Sequence, residues 1–178
     1  NPGLLHLRAR LEEAFLTAVG HSVGEIDTGA NHEMERLSTA RGDATGPASF
    51  LRHEGTWEQM REYFVHRSLY HLKEGDPHAW AIPRLTGQAK AAFAAVEFDE
   101  FGAGRGDQVH QQLFADLMTA ADLDPTYLGY IDDVPAAALA VVNLMSLFGL
   151  HRRHRGAAVG HFAATEITSS PGSRVLLD

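Results

Sequence analysis

The apolar residues of this chain recur at intervals of three and four and almost nowhere alternate, which commits it to helices rather than sheet. Leu4, Leu7, Leu11, Phe15 and Ala18 fall on one helical face, with Asn1-Pro2 placed to cap and open the helix. That helix is expected to run to about Val19. Residues 20–55 are the least periodic part and read as loop with one or two short helices. Thr56 and Gln59 form a capping-box pattern, so a second clear helix starts there. It is expected to continue through Tyr63, His66, Tyr70 and Glu74 until Gly75-Asp76-Pro77 breaks it. A third covers Ala79 to Phe101, bent near Pro83, and Gly102, Gly104 and Gly106 interrupt it. Asp107 is expected to cap the next helix, which holds His110, Leu113, Phe114, Leu117 and Met118. Asp124-Pro125 and Val134-Pro135 each open a further helix. The second of these is apolar on nearly all faces, as a central buried helix would be. Trp57 and Trp80 are read as core. The expectation is a single all-α domain over residues 1–178, without repeats.

Composition narrows the chemistry. The chain has no cysteine, which excludes disulfides, thiolate–zinc sites and cysteine nucleophiles, and which fits a reducing cytoplasm. Its formal charge of −8 argues against a nucleic-acid partner, which usually meets a net basic face. No apolar run reaches the roughly 18 residues of a membrane span. Ala136 to Leu150 comes closest, but Asn143 interrupts it. That long apolar helix is consistent with a homodimer or an exposed apolar patch. Asn1-Pro2-Gly3 at one end and Val175-Leu176-Leu177-Asp178 at the other read as the ends of a piece cut from a longer protein. Histidine is the oddity, at 11 of 178 residues, and neutral imidazole is the commonest metal ligand.

Position decides which histidines matter. His66, Tyr70 and Glu74 are spaced by four and His71 lies three before Glu74, so a continuous helix would put them on one face. Glu97 and Glu100 share a face of the next helix, and His110 follows past the glycines. Oxygen and imidazole ligands without sulfur suit non-haem iron or manganese, and di-iron sites in helical bundles use inward-facing Glu and His from several helices. The competing reading is a solvated acidic face. Arg152, Arg153 and Arg155, with His151 and His154, form a basic cluster. It reads either as a solvated patch or, through Arg152, as an anchor for a substrate carboxylate. His161 is either a hydrogen-bonded core histidine or part of a substrate pocket. Glu166, five residues on, does not share its face. His78 follows Pro77 and has no predictable direction. His6, His21, His32 and His53 have no supporting constellation.

The segment Tyr63-Phe64-Val65-His66-Arg67-Ser68-Leu69-Tyr70-His71-Leu72-Lys73-Glu74-Gly75-Asp76-Pro77-His78-Ala79-Trp80-Ala81-Ile82-Pro83-Arg84-Leu85 resembles the signature of bacterial iron-containing redox enzymes, which belong with the haem-oxygenase-like di-iron oxidases. Glu97 to Gly104 with His110 and Leu113-Phe114 is similar too, as are Leu150 to Gly156 and Gly160 to Glu166. The resemblance implies a haem-oxygenase-like helical bundle with two non-haem irons in the complete site. It also implies O2 as co-substrate and a small organic molecule as substrate. Carried over by motif, Glu74, Glu100 and His110 are metal ligands, with Glu97 in reserve. His71, His161 and Arg152 are the candidates for the substrate pocket. The family's third ligand element, His-x3-Asp-x2-His, occurs nowhere in this sequence, and the expected upstream helix is absent as well. The expected site is therefore half-complete, and a metal-free or vestigial scaffold of the same fold is the alternative function. Haem binding through an axial histidine would leave the paired carboxylates without a role. A thiaminase-like hydrolase would need the cysteine this chain lacks.

Overall fold

The computed structural model describes residues 1–23, 29–39 and 46–177. Its helices, in chain order, are α1 (Pro2–Ser22), α2 (Ala30–Thr39), α3 (Pro47–His53), α4 (Trp57–His71), α5 (Asp76–Ala79), α6 (Gly87–Glu100), α7 (His110–Ala120), α8 (Ala136–Leu150) and α9 (Arg155–Leu177). No strand occurs among the described residues, so the all-α expectation holds. No helix there is long and apolar enough to cross a membrane.

The local signals act as their chemistry requires. Asn1 accepts a bond from the Gly3 N–H at the start of α1. Thr56 and Gln59 satisfy each other's free N–H groups, at 3.3 and 2.9 Å, and fix the start of α4. The expected short helices between 20 and 55 are α2 and α3, while residues 24–28 and 40–45 of that segment lie outside the described residues.

Helix α9 is the spine, packed against α2, α3, α5 and α8, while α4 packs on α7 and α8. The apolar centre lies between α9, α6 and the turn after α5. Ala81, Phe93, Ala158 and Phe162 are buried there, with Ile82, Leu85, Phe148 and Val159 against them. Beside this centre, α4 turns Phe64, Ser68, Leu69 and Tyr70 inward.

Several expectations need correction. Helix α4 stops at His71, short of Glu74, because Leu72 already leaves the helix and the Glu74 N–H bonds back only three residues, to His71. The expected helix from Ala79 to Phe101 is three pieces: α5, a 3₁₀ turn at Ile82–Arg84 around Pro83, and α6. Asp107 does not cap α7, whose N-cap is Val109 with no side-chain bond. Asp124 and Pro125 open turns, not helix, and Asp124 instead accepts from the Thr126 N–H. Helix α8 buries Met145, Leu147 and Gly149 but leaves Val141 and Leu150 about half exposed, so it is a flank and not a centre. Trp57 and Trp80 are more than half exposed and not core, since each sits at an element end that faces outward.

Candidate metal centre

Three elements bring the expected ligands together. Gly75, at φ +86°, ends the α4 segment in a conformation that side-chain-bearing residues rarely adopt. Just before it, the Glu74 backbone carbonyl accepts from Gln111 Nε2 of α7 at 3.2 Å. Helix α6 places Phe93, Glu97 and Glu100 on one buried face, as their spacing of four and three requires. Gly102 then reverses the chain at φ +67°, which returns His110 to the first turn of α7 beside Glu100.

One ligand atom from each of Glu74, Glu100 and His110 lies within 4.8 Å of the others. His110 Nδ1 stands 2.7 Å from Glu100 Oε2 and 3.8 Å from Glu74 Oε2. Glu74 Oε2 also meets His71 Nδ1 at 2.9 Å, and the His71 Nε2 takes a bond from Arg67 Nε at 3.1 Å. The His71 ring is held from the other side by Phe114, centroid to centroid 4.7 Å. His71 thus braces the Glu74 carboxylate.

The electrostatics show carboxylates in excess of cations. Burial pushes Glu74 up, but the bonds and charges of His71, Tyr70 and His110 outweigh it and hold the carboxyl below its ordinary range. The bond to Glu100 raises His110 above an ordinary imidazole, against the opposing effect of burial. Burial raises the Tyr70 phenol, and the neighbouring Glu74 raises it further. Glu97 is 1% exposed, neither of its oxygens has a partner, and burial beside Glu100, Asp76 and Glu166 pushes it up to about 8. Glu166, on α9, is pushed up to about 7, first by burial and then by the charges of Glu100 and Glu74.

Glu166, which spacing along its own helix set aside, feels the charges of Glu100 and Glu74. Its phase relative to His161 was the wrong test, because its partners come from α6 and the Glu74 turn. The available signal was a carboxylate in a largely apolar stretch of helix. His66 does not join the cluster and lies 3.8 Å from Glu62 instead. Arg152 is exposed in the 3₁₀ turn before α9, away from these ligands. His161 is not the hydrogen-bonded core histidine of one expectation: its Nδ1 is buried without a partner and its ring stacks on His78. His78, whose direction was open, is 2% exposed, and burial pushes it down to about 4, so it is neutral.

This donor set fits iron. It offers carboxylate oxygens and an imidazole nitrogen, with no sulfur. Burial first, and neighbouring carboxylates after it, push Glu97 and Glu166 up, and a bound divalent cation would oppose both shifts. The support for Glu74 has a measurable consequence. His71→Phe keeps the ring against Phe114 but removes the bond to Glu74, so ferrous affinity should fall by about 10–100-fold, as read by titration with a competing chelator.

A family model described as iron-containing redox enzyme matches residues 61–178, a span that contains Glu74, Glu97, Glu100, His110 and Glu166. Comparison with curated proteins and with solved structures finds no match. The match covers more than half of the chain and agrees with the helical architecture, and the chain belongs to the iron-containing redox enzyme family.

Proposed function

We propose that this chain holds non-haem iron and acts as an oxidase or oxygenase, using O2 to oxidise a small organic substrate. The observation that carries the reading is the convergence of Glu74, Glu100 and His110 from three separate elements into one partly buried, carboxylate-rich cluster. Glu166 on α9 feels the charges of Glu100 and Glu74 but is not among the three residues whose ligand atoms gather. Those three residues would hold one iron. A second would need further ligands, because no other group of three gathers among the described residues. Bound iron supplies the one-electron redox chemistry that lets O2 react with an organic molecule.

The protein's own part is positioning and exclusion of water. His71 orients the Glu74 carboxylate, and the phenol of Tyr70 stays protonated beside it. Gln111 ties the Glu74 backbone to α7. Glu97 keeps a proton on a carboxyl oxygen that no protein group occupies, three residues before Glu100. Phe114 packs against His71 and Phe101 lies beside Gly75, next to the ligands' turn.

The test is anaerobic loading with Fe(II) followed by a pulse of O2. The reading predicts iron uptake and O2 consumption in proportion to the iron bound. A chain that takes up no iron, or holds iron that ignores O2, overturns it.

A further inference from the structure

Three arginines lie within four residues at one turn of this acidic chain. Arg152 and Arg153 lie in the turn between α8 and α9, and Arg155 opens α9; all three are exposed. None has an ion-pair partner among the described residues, and Arg153 Nε donates only to His154 Nε2, at 3.1 Å. Arg84 reaches the same turn and donates to the Leu150 carbonyl at 3.4 Å. The acid that meets this turn, Glu12 of α1, is already engaged by Arg8 and His151, each at 2.7 Å. Against a net charge of −8, this is a local reversal of sign. Such a patch attracts an acidic partner over distance and fixes its orientation.

A file of rings runs inward from the patch. The centroids of His154 and Phe148 are 5.8 Å apart, those of Phe148 and His161 6.1 Å, and those of His161 and His78 5.8 Å. His154 is partly exposed, whereas His78 is buried one turn beyond Glu74, its backbone N–H bonded to the Gly75 carbonyl at 3.0 Å. Neither nitrogen of His78, nor Nδ1 of His161, has a hydrogen-bond partner, so these imidazoles do not earn their burial by hydrogen bonding. Closely packed rings do, however, favour electron tunnelling, which decays less steeply through bonded and touching atoms than across gaps.

We propose that the Arg152–Arg155 turn docks an acidic one-electron carrier protein, whose electron passes along His154, Phe148, His161 and His78 toward the metal centre. This rests on the iron reading above. With iron bound, the carrier's reduced iron–sulfur cluster would give up one electron and a ferric ion would take it to become ferrous, with no bond formed or broken. A nucleic acid or an anionic membrane would also meet the arginines, but the remaining negative charge of the chain opposes both and neither would use the ring file.

The test titrates an acidic plant-type [2Fe–2S] ferredoxin into the chain by calorimetry at low and at raised salt, with iron content measured in each sample. The expected result is saturable binding that weakens with salt and falls at least ~10-fold in the R152E/R153E/R155E variant, without loss of melting temperature. Phe148→Leu should leave that affinity unchanged. Absence of binding, binding indifferent to the charge reversal, or tighter binding to duplex DNA or phosphatidylserine vesicles at equal salt overturns the proposal. Iron retained without carrier binding sinks the docking surface alone, whereas a chain without iron sinks the functional reading.

Discussion

Replacing Glu97 by glutamine should make the metal-free protein more stable at pH 8, by on the order of 3 kcal/mol. Glu97 is buried, both its oxygens lack partners, and its carboxyl is pushed up to about 8 by burial and then by Glu100, Asp76 and Glu166. Below the ordinary carboxyl range, near pH 4.5, folded and unfolded chains both carry the proton. Between about pH 4.5 and 8 the unfolded chain releases it while the folded chain retains it, so this group lowers stability as pH rises through that window. Above about 8 both forms are ionised and the loss stays constant. Glutamine keeps the shape but never has to ionise, and a buried amide costs far less than a buried charge. Urea unfolding in the presence of a chelator, at pH 5 and at pH 8, measures the difference. The variant should gain little at pH 5 and most of its advantage by pH 8. An equal gain at both values would mean that ionisation of Glu97 is not the cause.

Gly102→Ala should cost about 2–5 kcal/mol of stability and abolish tight iron binding. The backbone at this residue has φ +67°, where any Cβ is strained. The new Cβ would also lie 2.6 Å from the Gln108 carbonyl carbon and 2.7 Å from the Val109 nitrogen. These are backbone atoms, so no side chain can swing aside to relieve the contact. The segment 106–109 must move instead, and it leads directly into His110. The effect therefore reaches the 2.7 Å approach of His110 to Glu100 as well as the fold. Far-ultraviolet circular dichroism with ferrous titration separates the two losses. A variant that stays helical but no longer binds iron is the clearest form of the expected outcome.

Much of this architecture was legible because it is written in local chemistry. The Thr56–Gln59 cap, the shared face of Glu97 and Glu100 and the glycines before His110 follow from spacing and backbone rules. The resemblance then picked out Glu74, Glu100 and His110, and the fold brings those three together. What failed was long-range. Glu74 does not share a helical face with His66, because the helix ends at His71 and Leu72 already leaves it. Glu166 was discounted on its spacing from His161, yet what decides its role is the packing of α9 beside residues more than sixty positions earlier in the chain. Trp57 and Trp80 were read as core from residue type alone, and helix ends point them outward. Spacing locates a residue on its own element but says little about which other element that face will meet.

Glu74, Glu100 and His110 are proposed to form one iron site. Equilibrium titration with Fe(II) under anaerobic conditions tests it most directly, comparing the unaltered chain with Glu100→Ala, His110→Ala and Arg152→Ala. The unaltered chain and Arg152→Ala should bind iron alike, while Glu100→Ala and His110→Ala should each lose it. Iron held equally well by a Glu100→Ala/His110→Ala double variant would contradict the account.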